Sequence, residues 1–95
     1  MTDHRRACPI AKIADLLSDP WTMLIIRDLL RSPMRFSELE RSLTSVSSRT
    51  LALKLKRLLD EKIIAKSGMR YSITPQGKKL SRVIKAMAAC GKQFA

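Results

Sequence analysis

All four prolines of this 95-residue chain stand where a helix can begin or must end, and that placing constrains the fold more than any other feature. A proline in the first turn of a helix costs nothing, because the N–H it lacks would have had no partner there. Pro9 can open a first helix that carries Ile10, Ile13, Ala14 and Leu17 on one face. Asp19-Pro20 supplies a capping side chain as well as a proline and predicts a second helix to about Arg31. Its residues Trp21, Met23, Leu24, Ile25, Ile26, Leu29 and Leu30 are apolar nearly all round, as in a helix surrounded by others, so Trp21 reads as core. Ser32-Pro33 closes that pattern, and Thr74-Pro75 opens the last one.

Between Pro33 and Pro75 the signals change type. Met34-Arg35-Phe36 reads as a short extended segment, and Ser37-Glu38-Leu39-Glu40 fits a capping box for a short third helix, about Ser37 to Leu43. The polar stretch Thr44-Ser45-Val46-Ser47 follows, and Ser47 or Ser48 can cap a fourth helix from about Ser48 to Lys62. Leu51, Leu55, Leu58 and Leu59 recur on its inner side at helical spacing. Two helices joined by a few polar residues make a helix-turn-helix. Ile63-Ile64-Ala65-Lys66 and Tyr71-Ser72-Ile73-Thr74 read as two strands of a hairpin around Ser67-Gly68-Met69-Arg70. The predicted fold is mainly α with a small β-hairpin wing, a winged helix-turn-helix. Residues 1–7 are expected to form a flexible N-terminal arm, and 8–95 a single domain that includes a terminal helix over 75–93.

The net charge of +11 points to an anionic partner, nucleic acid before membrane, against the plainer reading of a solvated basic surface that aids solubility. Beyond Glu61 the chain has Lys62, Lys66, Arg70, Lys78, Lys79, Arg82, Lys85 and Lys92 and no Asp or Glu. No apolar run is long enough to span a bilayer, and the first ten residues lack the apolar centre of a secretory signal, so a cytoplasmic protein is expected. One histidine and two cysteines complete no zinc pattern, and no metal or cofactor is expected. A thiol enzyme using Cys8 would have His4 as its sole imidazole base, with no orienting partner or oxyanion site, so no enzyme is expected.

Double-stranded DNA fits the remaining features. A helix enters the major groove with its N-terminal residues at base edges and its flanking cations at phosphates. On the fourth helix Ser47, Ser48 and Thr50 offer short hydroxyls, Arg49 suits guanine, and Ala52 and Leu53 offer apolar contact, Leu53 to thymine methyls. Lys56 and Arg57 continue the basic exterior, and Lys66 and Arg70 would let the wing reach the sugar-phosphate backbone. The competing expectation is a winged-helix module that binds protein and carries its charge incidentally.

The motifs Cys8-Pro9-Ile10-Ala11, Pro20 through Leu30 and Arg35-Phe36-Ser37-Glu38-Leu39, with Ser48-Arg49-Thr50-Leu51, Leu55-Lys56-Arg57-Leu58 and Tyr71 through Gly77, resemble the HxlR-type regulators, a MarR-like winged-helix branch. The resemblance implies a prokaryotic homodimeric transcriptional regulator on a pseudo-palindromic operator, with the first and last helices at the interface. That assigns Ile10, Ile13, Leu80, Val83, Ile84, Met87, Cys90 and Phe94 to the dimer contact. The hairpin is shorter than is usual in the family, and Ala52 and Leu53 stand where polar residues are more common. In some similar regulators the cysteine at the start of the first helix senses oxidants or electrophiles. Here that residue is Cys8, whose thiolate a helix N-terminus with Arg5 and Arg6 nearby would favour. The effector is not specified by the sequence.

Overall fold

A computed structural model describes residues 8–94. The arm expected over residues 1–7 lies outside them, as do His4, Arg5 and Arg6. Helix α1 spans Pro9–Leu16, α2 Pro20–Arg31, α3 Phe36–Ser42 and α4 Ser48–Asp60. A two-residue strand β1, Met34–Arg35, precedes α3; β2 (Ile64–Ser67) and β3 (Arg70–Ile73) follow α4, and α5 (Pro75–Lys78) and α6 (Ser81–Lys92) complete the chain.

α2 runs through the centre, with Thr22, Ile25, Ile26, Asp28 and Leu29 buried. The Asp19 carboxylate caps it, accepting from the Thr22 N–H and the Thr22 hydroxyl, both at 2.9 Å. Around α2 the core takes Leu17 from the chain after α1, Leu39 and Leu43 from the α3 region, Leu51, Leu55 and Leu58 from α4, and Ile63, Ile64, Tyr71 and Leu80 from the hairpin and beyond. Trp21 packs against this cluster, half-buried, as expected of a core residue.

The buried Asp28 is matched on both sides: the Ser42 hydroxyl donates to it at 2.6 Å and Arg27 Nη2 lies 2.9 Å away. A buried carboxylate without such partners would be strongly destabilising. Asp28 therefore fixes the end of α3 against α2.

Three local expectations are corrected. The capping box is not Ser37 with Glu40. Because β1 pairs as far as Arg35, the helix begins one residue earlier, Arg35 becomes its N-cap, and Glu38 takes the Arg35 N–H at 2.7 Å. α4 stops at Asp60 because Lys62 adopts φ +60°, closing the helix with Ile63 N–H to the Leu58 carbonyl and Lys62 N–H to that of Leu59, both at 3.0 Å. This pair of bonds is the Schellman arrangement. The helix expected over 75–93 is broken in two: at Lys79 and Leu80 the bonding tightens to the carbonyls of Gln76 and Gly77, three residues back, and Leu80 turns into the core.

The hairpin belongs to a three-stranded antiparallel sheet of order β1-β3-β2. Its loop is Gly68-Met69, with φ +60° at Gly68, so the first loop residue alone has the positive φ that a type II′ turn needs.

Candidate nucleic-acid interface

The outward side of α4 is set by its inward side. Leu51, Leu55 and Leu58 are fully buried at three- and four-residue spacing, which leaves Ser48, Arg49, Ala52, Leu53 and Lys56 exposed. Leu53 keeps 59% of its surface, a high value for a leucine on a helix this well anchored.

At the start of α4 the hydroxyls are partly committed. Ser47 Oγ accepts from the Thr50 N–H at 3.1 Å and shares a hydroxyl proton with Thr50 Oγ1 at 3.0 Å, which leaves one proton of the pair for an outside acceptor. Ser48 donates to the Glu40 carboxylate of α3. That bond joins the two helices of the helix-turn-helix and removes the Ser48 proton from any phosphate.

Cations around the helix divide into two groups. Lys56 pairs with Asp60 at 3.0 Å, but both are well exposed, and such a pair exchanges readily for another anion. Arg57 turns away, half-buried, donating to the Asp15 carbonyl at 3.0 Å and to the Ser18 hydroxyl at 3.4 Å, with the Asp15 carboxylate at 3.8 Å. Its guanidinium is spent on fastening α4 to the chain around α1. This corrects its grouping with the basic exterior.

Lys54, which the sequence did not single out, reaches Asp19 at 3.0 Å. Burial alone would raise the Asp19 carboxyl, but the Thr22 N–H, the Lys54 ammonium and the Thr22 hydroxyl outweigh it and hold the pKa below the ordinary value.

In the wing, Lys66 lies with its ammonium 5.3 Å from the centre of the Tyr71 ring, a cation–π contact on the anchored side of the sheet. Arg70 is the first residue of β3 and not part of the tip, and β1 brings Arg35 directly opposite it. Arg35 was legible only as part of a motif, because nothing in the sequence shows that residues 34–35 pair with residues 70–71.

The residues expected at a dimer contact separate by burial. Leu80 is 5% exposed and belongs to the protomer's own core, which corrects its assignment. Ile13, Val83 and Ile84 are half-buried against that core. Met87 is 47%, Ile10 80% and Phe94 84% exposed. Cys8, at the N-cap of α1, and Cys90, on α6, are free exposed thiols. Among the described residues no group of three or more ligand side chains could hold a metal ion, and no helix is long and apolar enough to cross a membrane.

Residues 16–95 match the family described as HxlR-like helix-turn-helix. The HTH-type transcriptional regulator YvaP of Bacillus subtilis is 35% identical over 81% of this chain and 79% of its own length. YodB of the same organism, also an HTH-type transcriptional regulator, is 32% identical over 92% of this chain and 85% of its own. The crystal structure of quinone-bound YodB superposes with a TM-score of 0.83, covering 92% of this chain and all of that one at 33% identity. A transcriptional regulator assigned to the MarR family from Porphyromonas gingivalis W83 superposes with a TM-score of 0.90 at 29% identity, over 100% of this chain and 98% of its own.

Proposed function

The chain belongs to the HxlR-like helix-turn-helix family of transcriptional regulators, and on that premise we propose that it recognises a specific pseudo-palindromic DNA site as a homodimer, with α4 in the major groove. It is a regulator and not an enzyme. The observation that carries the finer reading is the exposed row Arg49, Ala52, Leu53 and Lys56 on a helix whose other side is locked into the core. Arg49 matches the paired acceptors of guanine, and Leu53 with Ala52 forms an apolar step suited to thymine methyls. The spare proton of the Ser47–Thr50 pair and the free amides of the first turn serve a phosphate. Ser48 holds α3 and α4 together instead.

The second copy would cover Ile10, Met87, Cys90 and Phe94, which one protomer leaves exposed. Such a dimer works in the cytoplasm, where a prokaryotic chromosome lies. Cys8 is exposed at the start of α1, next to Ile10 in that contact, so a covalent change there would alter dimer geometry and through it operator affinity. YodB has been crystallised with a quinone, which makes quinones the first electrophiles to try.

Selection of bound duplexes from a random pool, with reduced and with quinone-treated protein, tests the reading. An enriched inverted repeat is expected, with enrichment lost on quinone treatment of the parent and kept for Cys8→Ser. Arg49→Ala should then lose about tenfold more affinity on the selected site than on random DNA. Equal loss on both would rule out base reading by Arg49, and an unchanged response of Cys8→Ser would rule out the thiol.

A further inference from the structure

We propose that Arg35 and Arg70 jointly hold one backbone phosphate of the duplex, with Ser67 beside them, which makes β1 part of the DNA interface. The proposal rests on the DNA-binding reading above. In the sheet, Arg35 of β1 lies opposite Arg70 of β3, and Arg70 lies opposite Ser67 of β2. Residues opposite one another in an antiparallel sheet point to the same face, with Cβ atoms about 4.5–5.5 Å apart. The next row, Met34, Tyr71 and Lys66, takes the other face, where Tyr71 is buried. One side of the wing is therefore anchored, and the other presents two guanidinium groups and a hydroxyl, all exposed.

Like charges directly opposite in a sheet repel and destabilise it. Among the described residues neither guanidinium takes part in an ion pair or a side-chain hydrogen bond within the protein. The nearby Glu38 carboxylate is engaged with the Arg35 backbone N–H, at 2.7 Å. A row of three donors with no acceptor among the described residues is the complement of a phosphate, whose oxygens accept from two guanidinium forks at once. Arg35 is also the N-cap of α3, so the row is joined through the backbone to the helix-turn-helix it would help to seat. A phosphate bridging β1 and β3 would fix the angle of the wing relative to α4.

The test is a set of binding titrations on a mixed-sequence duplex at several salt concentrations, with the parent, Arg35→Ala, Arg70→Ala and the double variant. Each single substitution should weaken binding about tenfold at about 0.1 M salt. Because neutralising one phosphate contributes about 0.9 to the slope of log affinity against log salt, and one guanidinium still holds the shared phosphate in either single variant, each single substitution should change the slope by much less than that amount. The double variant, which frees the phosphate, should flatten the slope by about 0.9. A flattening of about 0.9 in each single variant and about twice that in the double would show two separate phosphates and overturn the proposal, as would an Arg35→Ala variant of unaltered affinity. No binding by the parent at low salt would instead sink the DNA-binding reading, and this proposal with it.

Thermal melts provide the control. The cap of α3 uses the Arg35 backbone N–H, which alanine retains, so Arg35→Ala should melt no lower than the parent. A clearly lower melting temperature would overturn the view that the two cations are held together against their repulsion.

Discussion

Gly77 shows how closely a single residue can be bound to this fold. A Cβ built there would lie 2.2 Å from the Ile63 carbonyl oxygen and 2.8 Å from Ile73 Cδ1, so the first turn of α5 sits directly on the sheet. The backbone oxygen cannot move aside, since it accepts from the Thr74 N–H and the Thr74 hydroxyl. Gly77→Ala should therefore cost about 2–3 kcal/mol, read as a lower urea midpoint at unchanged slope, despite alanine's better helix propensity. At Asp19 the relevant variable is pH. Its carboxyl is depressed in the folded protein, so its stabilisation is complete above the unfolded value near 4 and is lost as pH falls through the lower folded value. Asp19→Asn keeps an oxygen for the cap but loses the Lys54 pair. Its cost near neutrality should stay under about 1 kcal/mol, because the pair is partly exposed and screened, and its stability should decline less than the parent's on the acid side of pH 5. Equally steep acid declines in urea titrations would refute this.

At the scale of elements, the end of α4 stores a small strain. Lys62 occupies the left-handed region at φ +60°, where glycine alone has no steric penalty. Lys62→Gly should stabilise the protein by about 0.5–1 kcal/mol, since relief of that penalty exceeds the added freedom of the unfolded chain. A lower urea midpoint would show that the Lys62 side chain contributes more than its backbone costs. The sequence revealed the elements whose signals are local. Pro9, Pro20 and Pro75 open helices as their positions require, and Leu51, Leu55 and Leu58 mark the buried side of α4 and hence its outer face. It did not reveal what depends on distant partners. Met34-Arg35-Phe36 reads as a short extended segment, as strand Met34–Arg35 bears out, but two residues carry no signal of which strand they pair with, and the partnership with β3 appears only in the structure. Leu80 fits an unbroken amphipathic helix equally well, and its place in the core follows from how α5 sits on the sheet. Arg57 looked like one more cation on a basic helix until Asp15 and Ser18 came within its reach.

For the whole molecule, charge acts in opposite directions on the two associations proposed for it. A protomer carries +11, so two copies repel one another, while each is drawn to DNA. Lys85 and Lys92 lie exposed on α6, the element that also carries Met87 and Cys90 and leads to Phe94, so some of the repulsion falls at the proposed contact itself. Raising salt should consequently tighten the free dimer, because screening removes repulsion from an apolar contact, and should loosen the protein–DNA complex, because counterion release becomes less favourable. Sedimentation of the free protein and titration of a duplex over the same salt range separate the two effects. The protomer measures 39 × 35 × 25 Å, comparable with the 34–36 Å between successive major grooves, so two copies can set their α4 helices one turn apart. Met87→Asp, placed outside the core, should keep the melting behaviour of the protomer and yield a monomer. That monomer should lose the gain from joined half-sites, about a hundredfold or more on an inverted repeat, yet bind one half-site as the parent's protomer does. A dimer weakened by salt, or a Met87→Asp variant that remains dimeric, would place the contact on a different and more polar surface than α1 and α6 provide.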